Sequence, residues 1–356
     1  MKKIILGSII LTSVFTLTAC SSKESANNGI SMDVQSQTYI MEKDKNPTSS
    51  NEGFLALQIS VKNESKKSIG SVYDGDFSLY DNKGNQITSE HLYDSSGDFK
   101  TISNSSSLAP GKNLSGYVVF QVTKGEEYEL RYKPDVGYSE KEVKETITKV
   151  DTSQAKDYSN DYKELAKSYI NQVFLDRTSD NKQLGGNINS SKQSFEEQFN
   201  NSFTKDIHSS GATYNPSKEE INSILRAIQK TNSTKGKVEY QIAEMFPNSA
   251  IVYVKPQIVS FYTVNMNEIM QSYTSKSEST SDYTSVLNEA SKYLTQQLPQ
   301  KIESTKITTP RNMDSKGYKL ILNKDKEGKW IVDDTEDIGN YDYQNIKLAF
   351  MGEENM

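Results

Sequence analysis

The chain is poor in the residues that most covalent and metal chemistry depends on. Its 356 residues include a single cysteine, Cys20, so neither an intrachain disulfide nor a multi-thiolate metal site can form. Only two histidines are present, His91 and His208, and neither has a neighbour at HExxH or CxxC spacing. The chain has no G-x-S-x-G elbow, no phosphate-cradling loop and no GxGxxG turn. It also has no cationic excess, since 41 Lys and Arg against 47 Asp and Glu leave a formal charge of −6. That balance offers no net counterion release and argues against nucleic acid as a partner. Beyond the first twenty residues no apolar run approaches the length of a membrane span. Apolar residues make up only 34%, so folded cores must draw on the 21 Tyr and 12 Phe.

The start of the chain is the most informative stretch. Lys2 and Lys3 precede a mostly apolar run from Ile4 to Leu17, and Leu17-Thr18-Ala19-Cys20 closes it. A charged region, a short apolar region and a small residue before Cys resemble the signal peptide and lipobox of bacterial lipoproteins. The resemblance implies that Cys20 receives a diacylglyceryl group and becomes the mature N-terminus, outside the cytoplasm. An ordinary secretory leader with a buried Cys nearby is the other reading. Loss of Lys2 and Lys3 with the leader takes the charge from −6 to −8. The sequence holds no polybasic run for anionic lipid, so the acyl chains are expected to do the anchoring. Residues 20–29 are small and polar and read as a tether.

The remaining length suits two domains. Residues 30–150 read as all-β. Leu55, Leu57, Ile59 and Val61 alternate with Ala56, Gln58 and Ser60, the period of a strand buried on one face. Phe77-Ser78-Leu79-Tyr80 runs into an Asp81-Asn82-Lys83-Gly84 turn. Pro110-Gly111 suits a type II turn before the strand Leu114–Val122. Asn63, at a strand end, can bond nearby backbone and favour a turn. These pieces, in the order V-x-N, D-x-x-G, L-x-P-G and S-G-x-V-x-F, resemble domain-of-unknown-function family 4352. The resemblance implies an immunoglobulin-like sandwich with no catalytic residues to carry over.

From residue 151 to 356 the period turns helical. Tyr162, Leu165, Tyr169 and Val173 share a stripe, and Phe195, Phe199, Phe203 and Ile207 repeat every four residues, as a packing face does. Ser217 and Glu220 have capping-box spacing. Strands are expected at 238–242, 250–261, 318–322 and 330–332, with a polar helical stretch from Asn265, a Ser/Thr-rich segment at 272–285 and a closing helix at 343–351. Helices followed by an antiparallel sheet ending in Gly328-Lys329-Trp330-Ile331-Val332-Asp333 resemble a cystatin/NTF2-like cone and family 5105. The expected fold class is therefore an all-β immunoglobulin-like sandwich followed by an α+β cystatin/NTF2-like domain with a curved antiparallel sheet.

Chemistry has few footholds. Asp74, Asp76 and Asp81 lack the spacing of a twelve-residue calcium loop and read as solvated loop carboxylates. Asp333, Asp334, Glu336 and Asp337 cluster after the Trp330 strand, and Glu239 and Glu244 sit at strand positions. A pocket enzyme using these acids is one reading, and a purely structural envelope component is another. The leading expectation is a membrane-tethered lipoprotein of binding or scaffolding type. It uses no cofactor, metal or catalytic residue and has Cys20 as its lipid site. Its partners are the membrane, through the anchor, and a protein or small ligand.

Overall fold

The structure, a computed structural model, describes residues 29–104, 106–134, 144–274, 282–336 and 339–353. Cys20, Asp337, most of the charged segment 139–145 and much of the Ser/Thr-rich segment 272–285 lie outside them. An N-terminal sheet-rich part is followed by a C-terminal α+β part with an antiparallel sheet.

The first part contains β1 (Ile30–Ile40), β2 (Glu52–Asn63), β3 (Val72–Tyr73), β4 (Phe77–Tyr80), β5 (Gln86–Thr88), β6 (Ser103–Asn104), β7 (Asn113–Thr123), β8 (Glu127–Tyr132) and β9 (Thr146–Asp151). Strands β1-β2-β7 form one antiparallel sheet and β5-β4-β8-β9 another, while β3 and β6 pair separately. The inward side chains of the two larger sheets, Leu55, Leu57, Ile59 and Phe120 from one and Phe77, Leu79, Leu130 and Tyr132 from the other, share a core. The Pro110-Gly111 turn is as expected. Gly111 has φ 73° and Lys112 N–H closes on Ala109 O at 3.1 Å.

Strand β2 departs from one-sided burial. Phe54 and Ala56, on its outer face, are buried with Ile40, Leu92, Val119 and Phe246. The cause is tertiary, because this end of the sheet is where the second part docks.

The C-terminal part opens with α1 (Ser159–Phe174), α2 (Ile188–Ser209) and α3 (Lys218–Lys235). The apolar stripe of α1 is buried, and so are Phe195, Phe199, Phe203 and Ile207 of α2, with Phe174 and Phe195 meeting edge to face at 5.0 Å. Each such ring contributes roughly 2–3 kcal/mol by leaving water. The α2 stripe is thus packing and not a ligand platform. Ser217 and Glu220 close the reciprocal capping box of α3.

There follow β10 (Lys237–Met245), β11 (Ser249–Gln257), α4 (Met266–Thr274), α5 (Tyr283–Ser304), β12 (Tyr318–Lys324), β13 (Trp330–Val332) and α6 (Tyr341–Met351). The sheet order is β10-β11-β12-β13, all antiparallel. Val252, Val254, Leu320 and Leu322 are buried in the main core with the helices, whereas Ala243, Ile251, Tyr253 and Ile321 cluster apart on the opposite face. The two parts are joined by backbone as well as side chains. Met41 and Met245 exchange both N–H···O bonds at 2.8 Å, and Tyr39 N–H donates to Lys156 O at 2.9 Å.

Candidate functional site

A cleft of about 580 Å³ opens at this junction. Its floor is the outer face of the C-terminal sheet, where Ile251 of β11 and Ile321 of β12 are register partners. Its walls are Lys43 just past β1, Ser95, Ser96 and Asp98 of the 94–98 loop, Glu244 near the end of β10 and Ser249 at the start of β11, Asp333 and Asn340 between β13 and α6, and Asp342 in the first turn of α6. Lys319 reaches Asp342 at 3.5 Å.

Two buried carboxylates build the loop wall. Asp94 accepts five hydrogen bonds at 2.6–3.0 Å: from Ser96 N–H and Oγ, from the N–H groups of Asp98 and Phe99, and from Ser249 Oγ on the other part. Glu244 is 2% exposed and accepts from Ser95 N–H at 3.1 Å and Ser95 Oγ at 2.5 Å. Burial pushes its carboxyl above the usual range, the Ser95 bonds pull it back, and the Asp94 charge pushes it further up. Phe99 completes the dock, stacking on Tyr117 at 4.6 Å and meeting Phe246 at 5.0 Å.

Glu244 reaches this position through a bulge. The β10–β11 register slips between Ile242 and Glu244, so the strand carries one extra residue there. A bulge re-aims the side chains beyond it. Strict alternation would place Glu244 on the same face as Ile242, toward the helices. The slip turns it to the cleft.

The other acids read from the sequence are spent elsewhere. Asp334 accepts from Ser191 Oγ of α2 at 2.6 Å, and Glu336 pairs with the buried Lys347. Asp333 lines the cleft but caps its own turn through Thr335. Glu239 is exposed on β10. His91 is exposed, with Nδ1 3.0 Å from Asp74, and His208 meets Tyr214 O at 3.2 Å. Asp81 caps its turn through Lys83 and Asn85, and Asp76 accepts from Tyr73 N–H. Among the described residues no group of three or more His, Cys, Asp or Glu is placed to hold a metal ion. The sequence reading missed Asp94 and Ser95 altogether. Asp94 takes four of its five bonds from residues 96–99, but the partners across the junction, Ser249 and Glu244, lie about 150 positions away and no local pattern points to them.

Comparison with known proteins adds three findings. Residues 22–168 match the family described as Domain of unknown function (DUF4352), a span that covers the sheet-rich part and runs into α1. The chain is 26% identical over 349 residues to the uncharacterized lipoprotein YcdA of Bacillus subtilis, covering 91% of this chain and 92% of that protein. A crystal structure of YcdA from Bacillus subtilis superposes with a TM-score of 0.64 at 20% identity, covering 92% of this chain and 98% of that one. The two-part architecture is therefore shared along nearly the full length.

Proposed function

We propose that this protein is a lipoprotein anchored through a diacylglyceryl group on Cys20 at the extracytoplasmic face of the cell membrane, and that it acts by binding a ligand or partner in the junction cleft. The lipobox at Leu17–Cys20 and a full-length relative named as a lipoprotein support the anchor. The observation that carries the binding reading is the cleft itself. Both parts contribute walls to it, and Asp94 and Glu244 fix the loop wall from within. In this reading the N-terminal part is an immunoglobulin-like sandwich serving as spacer, and the C-terminal part is a cystatin/NTF2-like cone. The cleft presents ammonium and carboxylate groups side by side, chemistry suited to a polar ligand.

A second reading, acid–base chemistry in the cleft, draws on Glu244, whose carboxyl is pushed up by burial. Asp334 and Glu336 add nothing to it, because each already has a structural partner.

Labelling cells with radioactive palmitate tests the anchor. Label is expected in the wild type and absent from Cys20→Ala, and equal labelling of both would refute it. Native mass spectrometry of the detergent-extracted protein tests the binding reading. A co-purifying mass lost in Asp98→Ala/Asp342→Ala is expected, whereas a mass retained by that variant would move the binding site out of the cleft.

A further inference from the structure

Two of the motifs that carry the family resemblance meet at one tip. The V-x-N segment around Asn63 and the L-x-P-G turn at 108–111 are 45 positions apart in sequence yet share a dense set of hydrogen bonds. Asn63 is fully buried, its Nδ2 donates to Lys67 O and Leu108 O at 2.8 Å each, and its backbone bonds Lys112 O and Gly111 N–H. The chain enters the fold at this same point. Gly29 O accepts from Glu64 N–H at 2.6 Å, and a Cβ at Gly29 would lie 3.0 Å from Ser65 Cα.

This arrangement collects charge that the sequence keeps apart. Lys62, Lys66, Lys67 and Lys112 are all exposed in the segments that Asn63 ties together. The one acid in those segments, Glu64, pairs with Lys62 at 2.9 Å. The chain has no polybasic run, but folding makes a basic tip from two loops. Resting on the anchor reading, we infer that this tip is a seat for an anionic lipid surface, orienting the protein on the membrane that holds it.

Reach favours that partner. Gly29 is nine positions after Cys20, so even fully extended the tip stays within about 30 Å of the acylated sulfur. A lysine brought to an anionic leaflet gains about five-fold in partitioning, and the attraction dies within a Debye length of about 8–10 Å. The tip is the part of the fold closest along the chain to the anchor. Its positive charge opposes the repulsion that a net charge of −8 would otherwise bring to such a surface.

The test uses the full lipidated chain in vesicles. With Cys20 acylated, Ser68→Cys or Lys326→Cys supplies the only thiol for a fluorophore, the first on the tip and the second on the β12–β13 turn. Vesicles are phosphatidylcholine alone or with about one third phosphatidylglycerol, each with a headgroup quencher. Quenching at position 68 is expected to rise about two-fold with phosphatidylglycerol. The rise should vanish in Lys66→Glu/Lys67→Glu/Lys112→Glu and in about 0.5 M salt. Position 326 should not respond. Equal quenching at 68 in both lipids, or a rise that survives the triple reversal, overturns the seat. Failure of the wild type to stay with either vesicle overturns the anchor instead, so the two outcomes are separable.

Discussion

Ser249 Oγ, at the first residue of β11, donates to Asp94 Oδ1 at 2.9 Å, and both residues are buried although 155 positions separate them. This bond joins the cleft loop of one part to the sheet of the other. Asp94→Ala removes the acceptor of five donors and leaves several of them buried. The expected cost is about 3 kcal/mol, read as a drop in the urea midpoint. Ser249→Ala should cost about 1–2 kcal/mol, and the double variant should fall short of the sum. Additive losses would mean that the two side chains do not interact.

Glu244 gives the junction a pH dependence of definite sign. Its carboxyl is raised in the folded state, chiefly by burial. A carboxyl raised in this way contributes stability that is whole below its unfolded pKa and lost as pH rises through the folded value. Glu244→Gln keeps an acceptor for Ser95 and removes the charge. Its stability relative to wild type is expected to improve as pH rises from about 4 and to level off above the folded pKa of Glu244, as followed by denaturation at each pH. A difference that stays constant across that range would place the charge in solvent.

Tyr169 of α1 and Tyr343 of α6 bring their hydroxyls to 2.6 Å inside the helical layer. Burial pushes the Tyr169 phenol up to about 12, and Tyr343 is driven in the same direction by burial and by Tyr169. Tyr343→Phe takes away the hydroxyl partner of the buried Tyr169 phenol, so the expected loss is about 1–2 kcal/mol. An alkaline spectrophotometric titration should show both phenols silent until well past the exposed tyrosines. Their appearance alongside the exposed set would contradict the buried pair.

Gly116, within the S-G-x-V-x-F motif, is required by space. A Cβ there would stand 2.9 Å from Ile102 Cγ1 and 3.0 Å from Ile102 N. The segment it would push away is held by Ile102 N–H to Tyr117 O and Tyr117 N–H to Lys100 O, both at 2.9 Å. Gly116→Ala is expected to cost about 1–3 kcal/mol and to expose the 100–102 amides to hydrogen exchange. Wild-type exchange in the variant would show that the segment had not moved.

Whether a feature could be read from the sequence depends on the range of the interaction that makes it. The α3 cap, the α2 aromatic stripe, the Pro110-Gly111 turn and the 330–332 strand are set by neighbours a few residues away, and periodicity and turn chemistry reveal them. The burial of Phe54 and Ala56 depends on Phe246, almost two hundred positions later, and the alternation of β2 carries no trace of it. Glu244 was visible as a strand acid, but its direction depends on a one-residue slip against β11. The four lysines of the tip are unremarkable in sequence, because Lys112 comes beside the other three only through long-range contacts: the Asn63 hydrogen bonds, the β2–β7 pairing and the Ile69–Leu108 bridge.

Strand β1 also works as a ruler. It begins one residue past the point where the chain leaves Gly29 and ends beside Met41, whose backbone clasps Met245 of the second sheet. Eleven extended residues span roughly 35 Å. In the anchored, tip-down arrangement proposed above, that length would set how high the cleft stands over the headgroups. Removing a pair of residues from β1 and from each of its sheet partners would lower the cleft by about 7 Å while keeping every side chain on its own face.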